Sequence, residues 1–186
     1  TGQRVTTFEL EYPRFIHSEL MTHRELSKNS SSSRAIPLPV MIQSILSNTA
    51  VPIYFGKNQK GMQASTEVNA VLAAEKWIEA RNEAIAQSEK LHQIGLHKQI
   101  ANRVTESFQM MKVVMTTTGL DNLLNLRLEK DAQPEFMMLA HKILNAANQS
   151  GPKLLQKNQW HLPYVEVQPY EGGFVYLDGK GDTLSL

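Results

Sequence analysis

The sequence predicts an α+β chain, with a central and mostly antiparallel sheet flanked by helices. Three observations carry this. Two short segments with strand character, residues 5–12 and 112–118, lie far apart in the chain. Between and after them run segments with helical periodicity, several of them opened by proline or by a capping residue. Late in the chain, Glu171, Gly172 and Gly173 can turn an antiparallel hairpin between 164–170 and 174–177.

At 186 residues, 41% hydrophobic and 20% charged, the chain can bury a core of its own. The formal net charge is +1, so bulk electrostatics argue for neither a nucleic-acid nor a membrane partner, and any anion site must be local. No apolar run approaches the length of a membrane span, and no basic-then-apolar leader opens the chain. The expected compartment is the cytoplasm. The absence of cysteine excludes disulfides, thiolate metal sites and a cysteine nucleophile.

In residues 5–12, Phe8, Leu10 and Tyr12 alternate with polar residues, which predicts a half-buried strand. Pro13 suits a first helical turn, and residues 14–25 then read as a helix on which Glu19 and His23 share a face. A serine loop follows. Residues 35–47 read as a second helix after Pro37 and Pro39. Residues 51–55 are too short to classify, and the glycine-bounded stretch 56–64 has the look of a phosphate cradle without the spacing of one, so on spacing alone a plain turn is favoured. Ser65 or Thr66 is expected to cap a long scaffold helix reaching His92. Beyond Gly95, a helix carrying Ile100, Ala101, Val104 and Phe108 on its apolar stripe turns Gln99, Asn102, Arg103 and Glu106 outward. Residues 112–118 form a β-branched strand and 121–128 a helix. Pro134 opens a helix ended by Gly151 and Pro152, with its methionines as core filler. Glu171, Gly172 and Gly173 turn a hairpin between 164–170 and 174–177, and the Gly-rich tail after it carries no functional reading.

The chemistry concentrates in residues 22–37. Arg24, Arg34 and His23 bracket a run of small hydroxyl side chains, Ser30 to Ser33. Such a run lets a ligand approach the backbone, whose N–H groups and hydroxyls donate to an anion's oxygens while arginine adds a bidentate fork. On composition alone a flexible serine linker is an equal reading. Apolar residues on both sides place the run inside a domain.

The stretch resembles the signature of flavin-dependent thymidylate synthases, Arg-His-Arg-x-x-Ser-x-Asn-Glu-x-Ser-x-Arg-Tyr. His23, Arg24, Ser27, Asn29, Ser32 and Arg34 fall in register, whereas Thr22, Ser30 and Ala35 replace Arg, Glu and Tyr. The opening and closing words look like the phage-type branch, and the 56–64 loop looks like the one found after the signature in phage-type members. Further matches follow in the expected order. Gln99 to Arg103 is similar to the segment that sends an arginine to the nucleotide. Asn125, Leu126 and Arg127 are similar to the family's Asn-Leu-Arg, and Ala132, Gln133, Pro134 and Glu135 to its Ala-Gln-Pro-Glu. The resemblance spans residues 1–165, leaving 166–186 as a hairpin and tail of unassigned role.

The resemblance implies a homotetramer with shared active sites. It implies reductive methylation of deoxyuridine monophosphate at C5, with FAD as cofactor and NADPH and methylenetetrahydrofolate as co-substrates. The lack of cysteine agrees, since the other route to thymidylate adds a thiolate to the ring. Residue by residue, it places Glu19, Ser32, Ser33, Arg34, Arg103 and Arg127 at the nucleotide. It places His23, Arg24, Asn29, Ser30 and Asn122 at FAD, with no metal. Arg127 and Ser32 stand at the reacting base. Ser32 has no neighbouring base in sequence, so it is expected to hydrogen-bond and not to attack. Two alternatives remain open: a related pyrimidine nucleotide hydroxymethylase, and a nucleotide- or flavin-binding homologue that has lost turnover through Thr22 and Ser30.

Overall fold

The alternation in the first strand is realised as β1, Thr6–Pro13, with Phe8, Leu10 and Tyr12 buried and Glu9 and Glu11 exposed. It pairs antiparallel with β3, Met110–Thr117, whose Met111, Val113 and Met115 face the same core. The computed structural model describes residues 2–61 and 63–184. They fall into two compact units, one running to Ser150 and the other starting at Gly151, ahead of the boundary expected after residue 165.

The first unit holds a three-stranded antiparallel sheet in the order β1-β3-β2. The edge strand β2, Ser27–Ser30, lies where the sequence suggested only loop. Its residues are small and polar, so nothing in their hydropathy marks a strand; the β3 ladder recruits them, from Ser27 opposite Thr116 to Ser30 opposite Val113.

The helix expected over 14–25 is shorter and divided. Arg14–Ile16 is a 3-10 turn and α1 is His17–Thr22. Lys28, on the core-facing side of β2, donates through Nζ to the carbonyls of Leu20 (3.3 Å) and His23; Leu20 O also accepts from the His23 N–H. The helix α2, Leu38–Ser47, follows Pro37, and the long helix α3 is Ala70–Gln93. Its cap is Asn69, whose side chain accepts from the Leu72 N–H at 3.1 Å; neither Ser65 nor Thr66 fills that place.

Beyond Gly95, α4 is only Lys98–Ala101, and Asn102–Phe108 winds as a 3-10 helix. That change of pitch alters part of the expected face, with Ala101 and Phe108 buried and Gln99 and Arg103 exposed as expected. Three residues per turn align Asn102, Thr105 and Phe108, all buried, while Ile100 and Val104 are exposed. The helix α5, Asp121–Arg127, and α6, Pro134–Gln149, pack on the sheet with Leu123, Phe136, Leu139, Ala140 and Ile143 in the core. Met138 is exposed, so core filler describes Met111 and Met115 better than the methionines of α6.

The second unit carries a small antiparallel sheet, β4 (Glu166–Tyr170), β5 (Gly173–Leu177) and β6 (Thr183–Leu184). Gly172, at φ +114°, makes the hairpin turn between β4 and β5. The strand β6 comes from the tail that the sequence left unassigned. Among the described residues no helix is long and apolar enough to cross a membrane.

Candidate active site

Two clusters of polar side chains emerge. The first is built around Arg127, the last residue of α5. Its Nη1 donates to Glu19 Oε2 at 2.7 Å, and its Nε donates to His23 Nε2 at 3.0 Å. Its guanidinium lies over the ring of Phe136, 4.4 Å from the centroid, and His23 meets the same ring edge-on at 5.7 Å. Glu19 and His23, one turn apart, thus both reach Arg127, as their shared face suggested. Nη2 of Arg127 donates to no group among the described residues.

Arginine offers donors only, so His23 Nε2 must be the unprotonated nitrogen and the ring neutral with its proton on Nδ1. Burial, then Arg127 and then Lys28, hold the His23 pKa below the ordinary histidine value. A similar arrangement sits nearby. The hydroxyl of Tyr12 lies 2.8 Å from His17 Nδ1; burial raises the phenol pKa, and burial followed by Arg14 and Lys28 lowers that of His17. The phenol therefore keeps its proton, and the tautomer of His17 sets which of the two donates. Both histidines stay neutral in the folded chain at pH values where they ionise in the unfolded one. Stability is thus at its full level above about pH 6.5 and falls as pH drops below it. In thermal melts the expected result is a steep fall in Tm below pH 6.5, and His17→Gln should flatten it.

A cleft of about 590 Å³ opens beside Arg127, lined among others by Glu19, Tyr54, Gln63, Trp77 and Glu135. Glu135 is buried, and its Oε1 accepts from the Ile53 N–H at 2.9 Å. Gly56, Gln63 and Ala64 form one wall; Met62, in the same stretch, lies outside the described residues. Gln63 Nε2 donates to the carbonyls of Asp131 (2.9 Å) and Ala132 (3.0 Å), and Tyr54 donates to Ala64 O at 3.2 Å. Gly56 is required there, because a Cβ on it would fall 2.4 Å from that of Ala64. The wall is therefore tied to the Ala132–Glu135 segment. The sequence reading gave no role to Glu135, Phe136, Tyr54 or Gln63; the available signals were the match around Ala132 to Glu135 and the likeness of the 56–64 loop to one in phage-type members.

The second cluster is the serine turn. Ser31 N–H extends the sheet ladder to Lys112 O at 3.1 Å, and Ala35 N–H closes on Ser32 O at 3.0 Å. The carbonyls of Ser33 and Ile36 accept from Asn102 Nδ2, at 2.8 and 3.0 Å, and that of Ala35 from Lys98 Nζ at 2.9 Å. With the carbonyls of Ser32, Ser33, Ala35 and Ile36 engaged, several donors of the turn are left unspent. The N–H groups of Ser32, Ser33 and Arg34, the two hydroxyls and the Arg34 guanidinium bond to nothing among the described residues. A turn of that polarity suits an anion. Asn102, expected to face solvent, is buried beneath it.

The remaining expected positions are more dispersed. Arg103 pairs with Glu106 at 3.2 Å on an exposed surface, and Glu106 also binds Arg14 at 2.8 Å. Arg24, Asn29, Ser30 and Asn122 are exposed, and none of their side chains bonds to another described residue. Asn29 and Ser30 line a second cleft of about 590 Å³ on the sheet, with Glu9, Glu11 and Lys112. Thr22, where the signature has arginine, turns its hydroxyl back onto Glu19 O at 2.7 Å. No hydrogen bond or ion pair joins the serine turn to the Arg127 cluster among the described residues. Among those residues, no group of His, Asp and Glu is placed to hold a metal ion.

A family model described as thymidylate synthase complementing protein matches residues 3–153. The chain belongs to that family, the flavin-dependent thymidylate synthases that the signature resembled. The match takes in the serine turn, Arg103 and the Arg127 cluster, and ends near the boundary between the two units. Membership supports thymidylate synthase activity as a class. No curated protein matches the chain.

Proposed function

We propose that the chain is a flavin-dependent thymidylate synthase. On this reading it methylates deoxyuridine monophosphate at C5, taking the one-carbon unit from methylenetetrahydrofolate and reducing equivalents from NADPH. The carrying observation is the serine turn, where the carbonyls of Ser33, Ala35 and Ile36 are engaged. The N–H groups of Ser32, Ser33 and Arg34, the hydroxyls of Ser32 and Ser33 and the Arg34 guanidinium have no bond among the described residues. A dianionic phosphate is the matching group, and Arg103 adds a second cation for it. FAD fits the donor chemistry of Arg24, Asn29, Ser30 and Asn122, whose exposed side chains suit its diphosphate and polar edges. When bound, it supplies the hydride that completes the methyl group.

Arg127 is the residue for the base. Glu19, His23 and Phe136 fix its plane, and its Nη2 edge remains for a pyrimidine carbonyl. A cation held there stabilises the negative charge that develops on the ring when C5 bonds to carbon. Ser32 steadies the nucleotide by hydrogen bonding. His23 acts on the base through Arg127, since its Nε2 is spent there.

A homotetramer whose sites combine residues of several subunits is part of this proposal, as the resemblance to the family implies. The cytoplasm, of a host cell if the source is a phage, is the proposed location. The test is the mass of the product formed from deoxyuridine monophosphate, methylenetetrahydrofolate, FAD and NADPH. A methylated nucleotide supports the reading. A hydroxymethylated one moves the assignment to a hydroxymethylase, and no product points to a binding homologue.

A further inference from the structure

We infer that Asn102 is a positioning residue for the nucleotide phosphate, acting by holding the serine turn in the one orientation that presents its donors. This rests on the proposed nucleotide site. Asn102 is 1% exposed. A carboxamide has two N–H bonds, and Asn102 spends both on one turn, at Ser33 O and Ile36 O. The two carbonyl acceptors fix which way the amide faces, since Oδ1 could serve neither of them. Oδ1 itself bonds to no group among the described residues.

The residue is braced from below by a buried polar chain. Gln109 Nε2 donates to Asn102 O at 2.8 Å and to Thr105 Oγ1 at 3.0 Å, and Thr105 Oγ1 donates to Asn102 O at 3.0 Å. Gln109 and Thr105 are themselves 2% and 0% exposed. Gln109 directly precedes β3, and its carbonyl accepts from Arg14 N–H at 2.8 Å, so the chain runs from the sheet to the turn. Three buried polar residues at such a place are costly unless they bond. Here their bonds end on the carbonyls of the turn. With Ser33 O and Ile36 O held on Asn102, the N–H groups of Ser32, Ser33 and Arg34 have no bond among the described residues. Lys98 Nζ on Ala35 O is a weaker, exposed version of the same anchor.

The test uses Asn102→Leu, similar in size and without donors, in the full chain. Two readouts are taken: amide hydrogen exchange across residues 31–37 without ligand, and steady-state kinetics. The expected result is about tenfold faster exchange in that segment. The KM for deoxyuridine monophosphate should rise about tenfold, with kcat and flavin content within about twofold. Unchanged exchange and KM in a folded variant would overturn the inference, as would a loss of flavin with nucleotide binding intact. If Asn102→Leu does not fold, Lys98→Met decides. There the expected KM is about threefold higher at unchanged Tm, and an unchanged KM overturns the inference. If the wild type binds no deoxyuridine monophosphate while segment exchange still responds to Asn102, the turn's positioning stands and the nucleotide reading fails.

Discussion

Arg127→Met lowers kcat by roughly 10²–10³, the size of effect seen when one stabiliser of developing charge is removed. The loss should fall on kcat more than on KM, because a ring carbonyl gains charge only as C5 reacts. The surrounding cluster makes the prediction specific. Methionine is of similar length but removes the guanidinium that lies over Phe136 and gives Glu19 and His23 no donor. Lysine restores the charge without the fork: one ammonium cannot serve Glu19, His23 and a base edge in the plane that guanidinium defines. Arg127→Lys should therefore recover only part of the lost rate. Glu19→Gln is the milder control, since an amide oxygen still accepts from Nη1, and its expected loss is within about tenfold. Steady-state kinetics at saturating nucleotide separate these three outcomes.

Arg34→Met raises the KM for deoxyuridine monophosphate about 100-fold and leaves flavin content near the wild-type value. A bidentate, charge-assisted contact to a dianion contributes roughly 3 kcal/mol, and that is about a hundredfold in affinity. Arg34 is exposed and forms no ion pair among the described residues, so no internal partner is stranded by its removal. Its contribution should shrink as salt is raised, because exposed charges are screened. Ser32→Ala is expected to weaken nucleotide binding by about tenfold while turnover persists. Complete loss of turnover with binding intact would instead make Ser32 a reacting group.

The parts of the fold that the sequence displayed were those whose pattern is enforced by burial. In β1, Phe8, Leu10 and Tyr12 alternate because one face meets the core, and α6 runs from Pro134 with its apolar residues inward. The strand β2 was invisible because an edge strand of Ser27, Lys28, Asn29 and Ser30 takes its structure from its neighbour. The 102–108 segment was misread because a helical period of 3.6 was applied where the backbone turns every three residues. That error hid Asn102 on the wrong face. At the candidate site, the spacing of Glu19 and His23 showed that they share a face. Their common partner, Arg127, comes from a distant helix, and only the resemblance of its Asn-Leu-Arg words to the family drew attention to it. Phe136 beneath that arginine had no signal beyond its place in an apolar stripe.

The most direct measurement of the central claim is the visible absorbance spectrum of the purified protein, before and after adding deoxyuridine monophosphate. The expected result is an oxidised-flavin spectrum, native or after adding FAD, that shifts when the nucleotide binds beside it. A colourless protein that takes up no FAD, or a flavin spectrum indifferent to saturating nucleotide, would contradict the account.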